Sequence, residues 1–296
     1  MSIEHGPNPE ERDSGEGRFQ YAAESVPSER HPRRNEDAYV AVPERGAFAV
    51  LDGVSGQFET GEGKIGSRTA ADSLYQSIRK LSRASSLAER QQQALGLLDQ
   101  AHAAVQAVRR EKKVDGAKTT AALGLIHREG NRAFLVADSI GDCRIYVLRH
   151  HGGLEPITID DHILTKAGGD QVRARQLQQQ LSEVASASEL PPDERQVFIN
   201  RNDPSQRLGD SQELRHQPRV AELYPGDRIV LTSDGVHDNL RDSEMEKILT
   251  AAETPEAASS GLIRAAAERS REQQAEGEFS RAKPDDMTTV VVEVKP

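Results

Sequence analysis

The sequence predicts an α+β fold in which two antiparallel sheets are covered by pairs of helices. Three observations indicate this class. Short apolar runs typical of strands occur in groups, two stretches of helical periodicity separate the first group from the second, and two further helices precede the last strand. Strands and helices therefore do not alternate one for one, which disfavours a doubly wound parallel sheet.

The first part of the chain predicts a tail, two strands and two helices. Residues 1–18 have little apolar content, so we expect a disordered tail. The first strands are "YVAV" and "AFAVLDGV", which are separated by "PERG". The helix that follows carries Leu74 and Ile78 on one face, and the next carries an apolar stripe between Leu87 and Val108. Such stripes are typical of core packing.

The middle of the chain changes to the period of strands. The runs "TTAALGLIH", "AFLVADSIG" and "RIYVLRH" predict an antiparallel meander with turns at "REGN" and around Gly141. Residues 166–218 break this pattern because they are rich in Gln and interrupted by Pro. We expect them to form a mobile insertion with some helix, which is a common place for a flap that faces the substrate.

Strand signals resume with "RVAEL" and "DRIVLTSDG", and the chain closes on the strand "MTTVVVEV". Between them, Ser243 followed by Glu246 predicts a capping box, and Thr254 followed by Pro255 marks the start of another helix. We therefore expect residues 19–296 to form a single domain.

The composition favours a cytoplasmic, globular protein. The formal net charge of -10 opposes nucleic-acid binding, since phosphate backbones attract a surplus of Lys and Arg. No apolar run approaches the ~20 residues that span a bilayer, so we expect no membrane contact. The N-terminal residues lack the apolar core of a secretory signal. The single cysteine, Cys143, is expected to be a packed, reduced thiol.

Acidic residues recur at the ends of the predicted strands. They are Asp52, Asp138 or Asp142, Asp234, Asp285 with Asp286, and Glu36 with Asp37. If these ends meet, the charges repel one another by several kcal/mol at an effective dielectric constant of ~20, and bound cations relieve that repulsion. Ligand sets made only of oxygen favour Mg²⁺ or Mn²⁺ over zinc or copper. A single Asp-Gly is equally typical of a turn, so it is the recurrence that favours a metal site.

Six short motifs follow one another between residues 30 and 294. They are "RNEDAY", "VLDGVSG", "GAKTTAALG", "IGDCRIYVL", "LTSDGVHDNL" and "DDMTTVVV". The ordered series resembles the metal-dependent protein phosphatase family, type 2C, also called PPM-type. The resemblance implies a four-layer α/β/β/α sandwich with a metal site in the cleft between the sheets. It also implies a protein serine/threonine phosphatase that uses Mn²⁺ or Mg²⁺, with two ions and a possible third.

The resemblance also implies which residues bind these ions. Asp52 would bridge two of them. The Gly53 carbonyl and Glu36 would bind one, and the missing side chain of Gly53 would let its backbone oxygen approach. Asp234 and Asp285 would bind the other.

Two more carboxylates have implied roles. Asp37 would hold metal-bound water, and Asp142 would contribute to the third, weaker ion. Two ions about 3.5 to 4 Å apart lower the pKa of a shared water and neutralise the phosphoryl oxygens during in-line attack, so no phosphoenzyme is needed. The implied partners are phosphorylated proteins that are substrates of a serine/threonine kinase.

The chain departs from the family pattern after the bridging aspartate. Some members have a histidine two residues later, as a general acid, where this chain has Val54. Water, His162 or His237 would then protonate the leaving group, although each of these histidines is more often an ordinary loop residue.

A second departure concerns the arginine that binds phosphate. In the family it usually lies four residues before the glutamate of the "NED" motif, and this chain has Pro32 there. Arg33 is the nearest replacement, with Arg30 and Arg34 as rivals, because a guanidinium suits the geometry of a phosphate.

Two other functions are compatible with parts of the pattern. A phosphatase with an aspartyl nucleophile, of the haloacid dehalogenase type, also has an Asp-Gly after a strand. Its nucleophilic aspartate would lie two residues before Asp52, where this chain has Val50, so the nucleophile is missing. A catalytically silent relative that binds phosphoproteins or regulatory partners is the other alternative. Manganese-dependent hydrolysis distinguishes it from an enzyme.

Overall fold

The computed structural model describes residues 19–54, 61–272 and 279–295. The predicted tail, residues 1–18, lies outside them. Within the described residues, no helix is both long and apolar enough to cross a membrane.

In chain order the strands are β1 (Phe19–Val26), β2 (Ala38–Val42), β3 (Ala47–Val54), β4 (Lys118–Glu129), β5 (Arg132–Ile140), β6 (Arg144–Leu148), β7 (Leu154–Pro156), β8 (Arg219–Leu223), β9 (Arg228–Thr232) and β10 (Met287–Val294). The helices are α1 (Gly63–Lys80), α2 (Leu87–Lys112), α3 (Asp161–Lys166), α4 (Gln171–Glu183), α5 (Pro192–Ile199), α6 (Asp234–His237), α7 (Asp242–Ala251) and α8 (Pro255–Ser270).

The strands form two five-stranded sheets, and all the strand pairs in them are antiparallel. Sheet one has the order β1-β10-β9-β6-β7, and sheet two has the order β2-β3-β4-β5-β8. The helices α1 and α2 pack on sheet two, and α7 and α8 pack on sheet one. The predicted α+β class and the four-layer α/β/β/α sandwich are therefore confirmed.

Strands such as β3 are continuously apolar because both of their faces are buried. Ala49 and Leu51 pack with the cluster that includes α1 and α2, whereas Phe48 and Val50 pack between the two sheets. A slip of one residue in the register of β3 would exchange these two sets. The two cores thus fix the register of β3 and the position of its end. Asp52, the first acidic residue after the apolar run, lies at that end.

Two strands were missing from the sequence-based prediction. All residues of β1 are half-buried, so it carries no apolar run, and it forms the edge of sheet one beside β10. β7 has three residues and pairs only with β6. Strands this short or this mixed give almost no periodic signal.

The predicted capping box at Ser243 and Glu246 is wrong. α7 is capped by Arg241, whose backbone N–H donates to Glu244 Oε2 at 2.9 Å. Glu246 instead accepts a hydrogen bond from the Gly153 N–H, at 2.8 Å. The local pattern assigned the Glu246 side chain to the cap, but this side chain makes a tertiary contact instead.

The predicted start of α8 is confirmed. Thr254 is its N-cap, and the side-chain oxygen accepts a hydrogen bond from the Ala257 N–H at 3.2 Å. Pro255 occupies the first helical turn, where its missing N–H costs nothing.

Residues 166–218 contain α4, α5 and a short 3-10 helix at Ala187–Glu189. An apolar cluster that includes Ile163, Leu181 and Phe198 packs this insertion together with α3. The expected helix content is therefore present, while the mobility of the segment stays a prediction.

The close packing of α1 on β4 gives a test of the fold. A Cβ on Gly66 would lie 2.6 Å from the Lys118 carbonyl oxygen, whereas a Cβ on Gly96 in α2 would meet nothing within 4 Å. Gly66→Ala should destabilise the protein by about 1–3 kcal/mol through overpacking, and Gly96→Ala should stabilise it by roughly 0.5–1 kcal/mol through helix propensity. Urea unfolding measures both. Equal effects of the two variants would contradict this packing.

Candidate active site

The acidic strand ends meet at one edge of the two sheets. Asp52 and Gly53 lie at the end of β3 in sheet two, and Thr119 Oγ1 of β4 donates to the Asp52 carbonyl oxygen at 2.7 Å. From sheet one, Asp234 begins α6 directly after β9, and Asp285 precedes β10. The antiparallel order of the strands brings these distant parts of the chain to a shared cavity.

The cavity has a volume of about 470 Å³. All the metal-binding positions that the resemblance implied lie on its wall. They are Glu36, Asp52, Gly53, Asp142, Asp234 and Asp285. Their role as metal ligands stays a prediction, but the requirement that they lie together is met.

Asp286 connects the loop before β2 to the start of β10. Its two carboxylate oxygens accept hydrogen bonds from the backbone N–H groups of Ser28 and Glu36, both at 2.7 Å. These contacts fix the backbone of Glu36 against sheet one. Asp285, the neighbour of Asp286, and Glu36 both line the cavity.

Two glycines are required by the closeness of these loops. A Cβ on Gly53 would lie 2.4 Å from the Glu36 carbonyl oxygen, and a Cβ on Gly235 would lie 1.9 Å from the Asp286 carbonyl oxygen. We expected Gly53 to be needed for approach to an ion. The contact with Glu36 is a second and purely steric reason for glycine at this position.

The cavity is strongly acidic. Glu36, Asp142 and Asp234 are buried on its wall, whereas Asp52 is half-buried and the Asp285 side chain is 34% exposed. Burial raises the pKa of Asp52 well above its usual range, and the nearby Asp234 and Asp37 raise it further. The pKa of Asp142 is raised by burial and then by Asp234. Such pKa values mean that ionised carboxylates at these positions need a positive partner.

Three carboxylates have an oxygen that is buried without a hydrogen-bond partner among the described residues. These oxygens are Asp37 Oδ1, Asp142 Oδ1 and Asp234 Oδ1. Two of the carboxylates are on the cavity wall, and the third, Asp37, is not part of the wall but lies near Asp52. Asp37 is almost fully buried, and its other oxygen accepts from Ser233 Oγ at 2.8 Å. Burial raises the pKa of Asp37, as does the charge of Asp286. Buried acceptors that have no donor are typical of a site that takes a cation.

One cation already lies among these carboxylates. The Lys283 ammonium pairs with Asp234 Oδ2 and lies 3.1 Å from Asp285 Oδ2 and 3.6 Å from Asp238 Oδ2. Burial opposes its charge, but Asp234, Asp285 and Asp238 raise the pKa of Lys283 well above its usual value. Lys283 could not be recognised from the sequence, since a lysine before "PDD" carries no motif signal.

The donor set fits a hard divalent ion in its chemistry. It consists of oxygen atoms, carries excess negative charge and includes buried oxygens without partners. Among the described residues, however, no group of three or more His, Cys, Asp or Glu side chains is arranged to hold a metal ion. Asp234 and Asp285 both contact the Lys283 ammonium group.

The structure favours the rival arginines over Arg33. The Arg33 side chain is exposed and is not part of the cavity wall, whereas Arg30 and Arg34 both line it. Arg34 Nε lies 3.4 Å from Glu36 Oε1. Its guanidinium is therefore placed at the rim of the carboxylate cluster.

The two histidines that were weighed as general acids do not line the cavity. His237 Nδ1 lies 2.8 Å from Thr232 Oγ1, and burial lowers the pKa of His237. Burial also lowers the pKa of His162, which faces a small separate cavity. A different histidine, His31, does line the site, and its Nδ1 lies 2.8 Å from the Arg34 carbonyl oxygen.

Of the pair Asp138 and Asp142, only Asp142 belongs to the site. Asp138 lies in a different cavity, where its Oδ2 is 2.7 Å from His216 Nδ1.

Val50, the position of the alternative aspartyl nucleophile, is buried between the sheets. Cys143 is buried as expected and lies 3.2 Å from Thr120 Oγ1.

The insertion contributes to the cavity wall through the residues that follow α5. Arg201, Asn202 and Pro204 line it. Arg201 Nε lies 3.3 Å from Asp238 Oδ2, the same oxygen that lies near Lys283. The insertion and the carboxylate cluster are therefore joined by a continuous chain of opposite charges, which the sequence pattern could not reveal.

Comparison with known proteins connects this geometry to a family. The family model "Stage II sporulation protein E (SpoIIE)" matches residues 176–295. No curated protein sequence gives a significant match. The serine/threonine phosphatase PstP/Ppp of Mycobacterium tuberculosis is 23% identical with a TM-score of 0.69, and the match covers 94% of this chain and 99% of that one. A structure of the PstP catalytic domain in complex with two manganese ions is 25% identical with a TM-score of 0.66, over 94% and 99% of the two chains. The PPM Ser-Thr phosphatase MsPP of Mycobacterium smegmatis is 21% identical with a TM-score of 0.62, over 94% and 98%.

The chain has the PPM phosphatase fold. The resemblance that the six motifs indicated is thereby confirmed. The PPM fold accounts for the two sheets, the helix pairs and the acidic cleft at the sheet edge. Catalytic activity and metal content are separate matters, because one fold can carry several functions.

The hydrogen bonds of Asp286 can be tested by a substitution that preserves shape. In Asp286→Asn, an amide NH₂ faces one of the two backbone N–H groups that the carboxylate accepts, so one buried donor loses its partner. We expect a loss of about 1–3 kcal/mol in the free energy of unfolding. Asp115→Asn, at a fully exposed side chain, is the matched control and should stay within about 0.5 kcal/mol of wild type. Equal stabilities of the two variants in urea unfolding would contradict the role given to Asp286.

Asp161 gives a prediction for pH dependence. Its Oδ2 accepts hydrogen bonds from the Gly141 N–H at 2.7 Å and from Gln206 Nε2 at 3.1 Å, and burial raises its pKa to about 7. An unfolded aspartate titrates near ~4, so between these values the folded state holds the proton more tightly. The stability contributed by this group is therefore complete below about pH 4 and is lost as the pH rises towards about 7.

The measurement compares wild type with Asp161→Asn at several pH values. The free-energy difference between the two proteins should change by up to roughly 1.4 kcal/mol per pH unit in that window, to the disadvantage of wild type as the pH rises. A difference that is constant from pH 4 to pH 8 would show that Asp161 titrates normally.

Proposed function

We propose that this chain is a metal-dependent protein serine/threonine phosphatase that uses Mn²⁺ or Mg²⁺, as two ions with a possible third. One observation carries the proposal: carboxylates from both sheets converge on one cavity, and some of their buried oxygens have no partner. The similarity to solved serine/threonine phosphatases, one of them described with two manganese ions, supports it. Glu36, Asp52 and the Gly53 carbonyl would hold one ion, and Asp52, Asp234 and Asp285 the other, with Asp142 at a third.

The chemistry divides between the ions and the protein. Bound divalent ions supply an activated water and neutralise negative charge on the phosphoryl group. Asp37 would orient the attacking water through Oδ1, because Ser233 holds only its other oxygen. Arg30 and Arg34 would contact the phosphoryl oxygens from the rim of the cavity. His31, on the same wall, would give a proton to the leaving oxygen.

The substrate class follows from the same proposal. Phosphoserine and phosphothreonine in proteins are the proposed substrates, and the enzyme would then act in the cytoplasm on proteins that a serine/threonine kinase phosphorylates. The open cavity suits a side chain on a protein, since its wall includes both the insertion and the loop before β2. Arg201 and Phe279 also line the cavity and would contact residues beside the phosphorylated one.

A second candidate function is favoured by one observation. Because Lys283 already pairs with Asp234 and Asp285, the chain has the charge balance expected of a catalytically silent relative that binds phosphoproteins or regulatory partners. An aspartyl-phosphate mechanism has less support, since Val50 lies between the sheets. A mimic that traps acyl phosphates should leave the protein unlabelled if water is the nucleophile.

Hydrolysis of p-nitrophenyl phosphate tests the proposal. Wild type should be active with Mn²⁺ and inactive in a chelator, and Asp52→Asn should lower kcat by at least about 100-fold because the bridging carboxylate is lost. Asp115→Asn, which preserves the cavity, should retain wild-type activity. Absence of manganese-dependent activity in wild type would favour the silent binding protein.

A further inference from the structure

Lys283 lies within the carboxylate cluster of the candidate site. Its ammonium lies among Asp234, Asp285 and Asp238, and its side chain is only 11% exposed. Asp234 and Asp285 are also the two residues that would hold a divalent ion together with Asp52 under the proposed function. The lysine and the ion thus compete for the same oxygens.

A divalent ion and an ammonium group cannot occupy this position together. Both are cations, and at contact distance in a buried site their repulsion is strong. Asp234 Oδ2 and Asp285 Oδ2 each face the ammonium, so an ion that binds both oxygens must first replace it. Of the carboxylate oxygens of Asp234 and Asp285, only Asp234 Oδ1 is buried without a partner among the described residues.

The backbone of Lys283 is fixed, while its side chain has somewhere to go. Asn239 accepts a hydrogen bond from the Lys283 N–H at 2.9 Å and donates one to the Lys283 carbonyl oxygen at 2.8 Å. The residue also lines the cavity of about 470 Å³. A lysine has a long, flexible stem, so its ammonium can swing into this space while the chain stays in place.

Asp238 would stay neutralised after such a movement. Arg201 Nε lies 3.3 Å from Asp238 Oδ2, the oxygen that also lies 3.6 Å from the ammonium of Lys283. Departure of Lys283 therefore leaves Asp234 and Asp285 without a cation but does not leave Asp238 alone. An incoming ion therefore has to compensate only Asp234 and Asp285, at the proposed metal position.

We propose that Lys283 is a tethered cation that occupies one metal position between Asp234 and Asp285 in the metal-free protein, and that a divalent ion binds there only by displacing it. The inference rests on the proposed function, whose metal positions it uses. Two consequences follow. Lys283 holds the carboxylates together when no ion is bound, and it weakens the affinity of this position for the ion.

Titration calorimetry with Mn²⁺ tests the proposal on the full chain. Lys283→Met removes the charge and retains much of the stem, and Lys283→Gln is a second neutral variant in case the first folds poorly. Lys118→Met is the matched control, because Lys118 also pairs with an aspartate, Asp210 at 2.8 Å, but does not line the cavity. Circular dichroism checks that each variant is folded.

The neutral variants should bind Mn²⁺ at least tenfold more tightly than wild type at one position, and Lys118→Met should bind as wild type does. Without metal, the neutral variants should melt at a lower temperature than wild type, and saturating Mn²⁺ should remove that difference. Unchanged or weaker Mn²⁺ binding in both folded Lys283 variants would overturn the proposal.

The same titration separates this inference from the proposed function. Binding by the Lys283 variants but not by wild type would support the tethered cation and contradict a metal-dependent enzyme. Binding by wild type that the variants do not improve would leave the enzyme proposal standing and refute the role of Lys283. No Mn²⁺ binding by any of the proteins would refute both.

Discussion

The site is shaped by the cost of bringing several buried or half-buried carboxylates together at one cavity and directly beside it. Asp37, Asp52, Asp142 and Asp234 all have pKa values raised by burial, and like charges nearby raise them further. Such a group is tolerable only if protons or cations compensate it. In the described structure Lys283 provides one compensating charge at the centre of the cluster. The proposed metal ions would provide more, and the cluster would then exchange one kind of positive charge for another.

The two sheets make this concentration of charge possible because they hold its members rigidly. The carboxylates lie at strand ends or immediately beside them, and the strands are fixed by cores on both faces. Asp286 binds two backbone N–H groups of the opposite loop, and the glycines at 53 and 235 let the backbones approach closely. These contacts hold the strand ends in place, so the repulsion among the acidic side chains does not separate them.

The insertion gives the site a feature of its own. Arg201 joins the segment after α5 to Asp238, and Asp238 in turn faces Lys283. A change in the position of this segment would alter the field at the carboxylates without moving the sheets. Since the solved relatives are only 21–25% identical, the PPM fold explains the framework, and this chain's own residues must explain the charge balance.

The sequence by itself determined the fold class, most strands and helices, and the set of acidic residues at the site. Those features depend on local periodicity and on motif order, as the run that ends at Asp52 illustrates. It could not find β1, whose residues are half-buried, or the true cap of α7, where Glu246 binds Gly153 instead. Tertiary structure alone decided that Arg30 and Arg34 face the cavity, while Arg33 points to solvent, since three neighbouring arginines look alike in sequence. It also decided the place of Lys283, because an ion pair between residues 49 positions apart depends on how the strands fold together.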